Sequence, residues 1–156
     1  MSKQHWVGDV RAGDHDGSEV ELKGWIHRSR GSNKIWFLVI RDSTGVVQCV
    51  IKRKDVGDDT FESLRTALIE SSVIICGTVE ATDREHGHEV LVSSGEIVGA
   101  VNPERPFPIT ESAMAEADGG QTEFLLDNRH LYLRTSRMTT MLKMRSTVFG
   151  AIHSYF

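Results

Sequence analysis

The stretch KIWFLVIRDSTGVVQCVI, Lys34 to Ile51, decides the fold. It divides at Asp42-Ser43-Thr44-Gly45 into two apolar runs rich in β-branched and aromatic residues. Turn residues between two such runs, with a glycine free to take a positive φ, predict a β-hairpin. Side chains alternate across a strand, so each run has two faces. The first run offers Trp36/Leu38/Ile40 against Ile35/Phe37/Val39; the second offers Val47/Cys49/Ile51 against Val46/Gln48/Val50. Trp36, Leu38 and Ile40 make the more continuous apolar face and are assigned to the core. Phe37 then points outward, the alternative being a plain core phenylalanine. Gln48 interrupts an otherwise apolar strand, and its amide can donate and accept at once.

Working outward, Glu19 to Ile26 alternates polar and apolar residues, with Val20, Leu22, Gly24 and Ile26 on one face. Arg30-Gly31-Ser32-Asn33 reads as the turn that joins this strand to the hairpin. Beyond the hairpin, Asp59 and Glu62 stand at capping-box spacing, and Phe61, Leu64 and Leu68 form a stripe at helical spacing. Two more strands follow, Ser72 to Glu80 and Glu89 to Val98, joined by the polar loop 82–88. Three strands, one helix and two strands is the order of a mainly β, five-stranded OB-fold barrel. That architecture often binds single-stranded nucleic acid, although a fold alone does not establish a function.

The barrel is expected to occupy residues 1–100. All three prolines, Pro103, Pro106 and Pro108, fall in the next few residues and mark 101–123 as an extended hinge. Residues 124–156 form a third region. From about Ser136, Met141, Leu142, Val148, Phe149, Ile152, Tyr155 and Phe156 recur at spacings of three and four. This predicts a helix whose apolar stripe is covered by another chain or by a continuation of the polypeptide.

The net charge of −4 conceals a segregation of sign. Between Lys23 and Lys54 eight Lys and Arg stand against the single acid Asp42, a local charge of +7. Residues 128–156 add five Arg and Lys and no acid. Basic stretches in an acidic chain point to a polyanion or form a solvated face. Aromatic rings within a basic window are what a single-stranded nucleic acid needs for stacking and phosphate contact, and Phe37, Arg28, Arg30 and Gln48 supply them together. His27 can touch phosphate or base, or be an ordinary surface histidine. Trp25 is expected to pack at the base of the barrel.

Other functions find little support. The two cysteines, Cys49 and Cys76, lie far apart in apolar runs and read as buried free thiols. His86 and His88 lack a third ligand at metal-binding spacing. No nucleophile–base set, phosphate loop or carboxylate pair stands out, so no catalytic residue and no cofactor are assigned to the chain. The N-terminus reads as no signal peptide, and the longest apolar run, Ile35 to Ile40, is too short to span a bilayer, which points to a cytoplasmic protein without a membrane partner.

Gly24-Trp25-Ile26-His27-Arg28-x-Arg30, then Phe37, then Arg41-Asp42-x-x-Gly45-x-Val47-Gln48, resembles the anticodon-binding OB domain of aspartyl- and asparaginyl-tRNA synthetases. Phe124 to Arg134 (FLLDNRHLYLR) resembles the segment that leads into their class II catalytic domain. The resemblance implies that Phe37 stacks on an anticodon base, that Gln48 reads the central uracil, and that Arg28 and Arg30 surround the loop. It implies that the helix from Ser136 begins the class II motif at a homodimer interface. The motifs that bind ATP are absent from these residues. ATP and magnesium would therefore belong to a longer parent enzyme, and these 156 residues are expected to be inactive alone. His130 after Asp127-Asn128-Arg129, and Phe107 to Ala113, look more like asparaginyl than aspartyl enzymes. An aspartyl enzyme, one that charges both tRNAs, a stand-alone OB module and a docking protein remain the alternatives.

Overall fold

In the computed structural model, which describes residues 5–82, 87–109 and 122–156, burial alternates along the strands as the apolar pattern requires. The element order is α1 (Val7–Ala12), β1 (Glu19–Gly31), β2 (Ile35–Arg41), β3 (Val46–Lys52), α2 (Arg53–Val56), α3 (Asp58–Thr66), β4 (Ser72–Ala81), β5 (His88–Gly99), α4 (Thr122–Asp127), α5 (Arg129–Tyr132) and α6 (Ser136–Tyr155). The five strands close a barrel in the order β1-β2-β3-β5-β4, the OB-fold expected from the sequence. All pairings are antiparallel except β3 with β5, which run parallel over Gln48 to Val50 and seal the sheet.

The inward faces are those read from the alternation. Val20, Leu22, Ile26, Leu38, Ile40, Val47, Cys49 and Ile51 are fully buried, with Val73, Ile75, Val79 and Val90 from the other two strands. Phe61 and Leu64 of α3 join this cluster. Each such side chain contributes about 1.5–3 kcal/mol of burial. Gly24 serves this packing through its missing side chain. A Cβ there would lie 2.5 Å from the Arg41 carbonyl oxygen and 2.7 Å from Ile40 Cγ2, so only glycine lets the backbones approach. Burial pushes the Cys49 thiol far up, which makes it inert packing, whereas Cys76 is only half-buried.

Several details depart from the sequence reading. Strand β1 does not stop at Ile26; a register shift between Ile26 and Arg28 bends it and carries it on to Gly31. The helix between β3 and β4 is preceded by the single turn α2. Its N-cap is Gly57, with no side-chain cap, so the Asp59–Glu62 capping box does not form. Glu62 instead bonds the guanidinium groups of Arg53 and Arg65. Helix α1 has no counterpart in the sequence reading. Its first N–H groups are capped from the β2–β3 turn: Val7 N donates to Asp42 Oδ2 (2.9 Å) and Gly8 N to Thr44 Oγ1 (2.8 Å). The other oxygen of Asp42 accepts from Thr44 N and Gly45 N, which fixes the turn itself.

The chain forms two compact units, Met1–Phe107 and Pro108–Phe156. In the second, Leu125 and Ile109 are buried. Helix α6 begins where the periodicity placed it, with Thr135 as N-cap accepting from Met138 N. It has no buried residue, and Met141, Leu142, Val148, Phe149 and Ile152 are all exposed. No helix among the described residues is long and apolar enough to cross a membrane. The stretch 110–121, which holds part of the expected hinge and most of the Phe107–Ala113 segment, lies outside the described residues, as does His86.

Candidate nucleic-acid interface

The outer face of the barrel is set by the bulge in β1. Up to Ile26 the even-numbered residues point inward. Ile26 pairs with Ile40, but the next registered partner of β2, Val39, faces Arg28. The extra residue, His27, has no registered partner on β2 and is half-buried. The bulge keeps Arg28 and Arg30 opposite the outward residues of β2 rather than the core ones. Without it, the same strand would face its arginines onto Leu38 and Trp36.

Two rows of side chains therefore cross the sheet. One runs Arg30, Phe37, Val50 and Leu91; the other runs Arg28, Val39, Gln48 and Glu89. Neighbouring strands stand about 4.8 Å apart and the rows about 7 Å, so Phe37 and Gln48 are diagonal neighbours within one nucleotide's span. Phe37 is half-buried, less covered than Leu38 beside it. Arg28 and Arg30 are exposed. Four of the five residues singled out from the sequence, Arg28, Arg30, Phe37 and Gln48, thus share one face. His27 sits at its edge, in the bulge that creates it.

Gln48 is held in a defined orientation. Its Nε2 donates to Glu89 Oε2 at 3.1 Å, across the parallel pairing that closes the barrel. One amide N–H is used in this way. The carbonyl oxygen and the second N–H remain to meet a base edge, an acceptor and a donor side by side. Sequence reasoning missed Glu89. Only the β3–β5 register brings it beside Gln48, and nothing local announces a pairing across 41 positions.

Two further assignments need correction or completion. Trp25 does not pack at the base of the barrel. Gly24 and Ile26 take the inward positions, so alternation turns the indole out, 41% exposed, opposite Arg41 on β2 and Ser72 on β4. Trp36 packs against the core but is half-buried, and its Nε1 donates to Ser29 Oγ at 2.8 Å. Below the face, Arg41 forms two hydrogen bonds with Glu70, 2.9 and 2.8 Å. This pair anchors the loop before β4, where Glu70 takes a positive φ of 71°. Among the described residues no group of three or more His, Cys, Asp or Glu is arranged to hold a metal ion, and His88 is engaged by Asp16 at 3.1 Å.

Known proteins resemble this chain in sequence and fold. The family model for the tRNA anti-codon OB-fold nucleic acid binding domain matches residues 20–98. The asparagine–tRNA ligase of Thermoplasma acidophilum is 36% identical over 151 residues, covering 96% of this chain and 33% of that protein. The crystal structure of asparaginyl-tRNA synthetase from Pyrococcus horikoshii, complexed with asparaginyl-adenylate, matches with a TM-score of 0.84 and 36% identity, covering 99% of this chain and 34% of that one. Aspartyl tRNA synthetase from Entamoeba histolytica shares the fold, with a TM-score of 0.80 at 17% identity, over 98% of this chain and 37% of its own. The chain spans about a third of the length of the curated relatives it matches.

Proposed function

Because the chain belongs to the family of tRNA anti-codon OB-fold nucleic acid binding domains, we propose that the outer face of its barrel reads a tRNA anticodon loop as the front part of an asparagine–tRNA ligase. The observation that carries this reading is the shared face: a half-buried phenylalanine between an arginine and a valine, with an oriented glutamine diagonal to it. Phe37 stacks on a base. The Gln48 oxygen accepts from uracil N3–H, and its second amide hydrogen donates to a uracil carbonyl. Arg28 and Arg30 meet phosphates or stack on neighbouring bases. His27 lies beside them and reaches the same loop.

The parent enzyme in this reading activates asparagine with ATP as the aminoacyl-adenylate, with magnesium bound alongside ATP, and transfers it to the tRNA 3′ end. Residues 1–100 bind the anticodon, 101–123 form the hinge, and 124–156 open the catalytic domain. The apolar stripe of α6 then pairs with a second copy of the enzyme, and the protein works in the cytoplasm. The asparagine enzymes among the relatives support asparagine over aspartate, since the structure of the aspartyl enzyme is similar in fold alone.

The test is a titration of the chain against anticodon stem-loops carrying GUU, GUC and a scrambled triplet at two salt concentrations. Tighter, salt-sensitive binding to GUU is expected. Equal binding to GUU and GUC would move the reading to an aspartyl or dual enzyme, and no preference over the scrambled loop would leave a general OB module.

A further inference from the structure

At one end of the outer face lies a cleft of about 540 Å³ lined by Lys34, Ile35, Lys52, Arg53, Lys54 and Asp58. It continues the reading face. Ile35 shares the outward side of β2 with Phe37 and pairs with Lys52, one outward pair beyond Phe37 and Val50, or about 7 Å along the strand. The cleft wall is fixed by the backbone, where Arg53 N donates to the Lys34 carbonyl at 3.0 Å.

The charges in the cleft are of two kinds. Both terminal nitrogens of Arg53 are engaged within the protein: it bonds Asp58 Oδ1 at 2.9 Å, bonds Glu62, and lies over the Phe61 ring, 4.6 Å from its centre. Asp58, the acid on the lining, is therefore already neutralised. Lys54 has only a 4.0 Å approach to Asp55. Lys34 and Lys52 have no ion-pair partner among the described residues. Two uncompensated ammonium groups thus line one open cleft with an apolar wall.

We propose that this cleft is a phosphate subsite for the bound RNA, in which Lys34 and Lys52 hold a backbone phosphate next to the nucleotide stacked on Phe37. The inference rests on the anticodon-loop reading and extends it. Lysine suits the task as a hydrated point charge on a flexible stem, which fixes a phosphate without reading sequence. Such an anchor adds affinity for the strand and leaves the choice of the central base to Gln48.

The test compares the chain with its Lys34→Ala/Lys52→Ala variant, after thermal melts establish that both fold alike. Each is titrated with a GUU stem-loop series in which every loop phosphate in turn is replaced by an uncharged methylphosphonate. For the original chain, one or two neighbouring replacements should weaken binding. In the double variant the same replacements should cost nothing further. The slope of log K on log salt should flatten by about 0.7 for each phosphate that the protein no longer neutralises. The preference for GUU over a loop with a changed central base should stay constant, and Lys34→Arg/Lys52→Arg should restore the affinity. Methylphosphonate effects that persist unchanged in the double variant would overturn the subsite while leaving the anticodon reading intact. Failure of the original chain to bind any stem-loop would overturn both.

Discussion

Strand β2 carries two sets of side chains one residue apart, and they behave as different materials. Leu38 and Ile40 face inward and are completely buried among the strands and α3. Phe37 and Val39 face outward, half-buried, in rows that end on Arg30 and Arg28. A strand with only a structural task gains nothing by keeping a phenylalanine half-covered, since the uncovered part of the ring forgoes its burial energy. The comparison suggests that stability resides on the inner face and recognition on the outer one, and that each can be altered without the other.

The largest effect belongs to the inner face. Leu38→Ala should lose about 2–5 kcal/mol of stability through the removed methyl groups and the cavity left behind. Chemical denaturation measures that loss. At a temperature where the variant is still folded, its affinity for the GUU stem-loop should match that of the original chain. A large affinity loss in the folded variant would break the comparison, because it would mean that core packing sets the outer geometry.

Phe37→Ala should show the reverse. Binding should weaken by about 1–3 kcal/mol if a base stacks on the ring. The melting temperature should fall less than for Leu38→Ala, because the ring is only half-covered. Unchanged affinity would remove the stacking role and return Phe37 to ordinary surface packing.

How much of this is legible in the sequence follows the range of the interactions involved. The alternation of β2 and β3 is a local property, and it identifies Leu38, Ile40, Val47, Cys49 and Ile51 as core and Phe37 and Gln48 as outward. Helix α6 is equally legible, from its 3–4 spacing to its start at Ser136. What fails depends on distant partners. Helix α1 is six residues long and has no capping side chain of its own; Asp42 and Thr44, some 35 positions away, cap it instead. The Asp59–Glu62 capping box fits a local rule, yet Glu62 is drawn away by Arg53 and Arg65. Trp25 is a different failure, because the alternation itself dictates its place: with Gly24 and Ile26 inward, the tryptophan between them must face out. The bulge at His27 has no signal of its own, and it alone makes Arg28 and Arg30 neighbours of the outward residues of β2.

Next on the outer face, no larger in effect than Phe37, comes the Gln48–Glu89 pair. Gln48→Ala should relax discrimination at the central base, with about 1–3 kcal/mol of preference removed, while other loop positions keep theirs. Glu89→Gln keeps the shape but replaces the carboxylate with an amide that can donate as well as accept. The Gln48 amide then loses its fixed orientation, and a smaller loss of the same preference is expected. Stem-loops differing only at the central base measure both. If Glu89→Gln lowered affinity equally for every loop, Glu89 would be acting on the RNA generally and not through Gln48.

The smallest effect tests whether the outer layer carries any stability of its own. The Arg65 guanidinium bonded to Glu62, with Arg53 on the other side, holds the Glu62 carboxyl below its ordinary value of 4.5. A depressed carboxyl pKa stabilises the fold above the unfolded value, and the contribution disappears as pH falls through the folded one. Glu62 is 41% exposed and its partners 34%, so solvent screens the bonds and the effect should be slight. Melting curves of the original chain and Glu62→Gln should therefore differ most near neutral pH and converge on acidification below the ordinary glutamate range. High salt should shrink the difference. A gap that stays constant down to strongly acid pH would mean that the charge of Glu62 is irrelevant and that only the shape of its side chain holds Arg53 against Phe61. Arg53 also lines the basic cleft, so the same variant bears on recognition. With the negative charge of Glu62 gone and Arg53 still bonded to Asp58, the potential near Lys34 and Lys52 becomes more positive, and stem-loop affinity should rise slightly as stability falls. Opposite signs in the two measurements are what separate inner and outer faces predict; a loss in both would merge them.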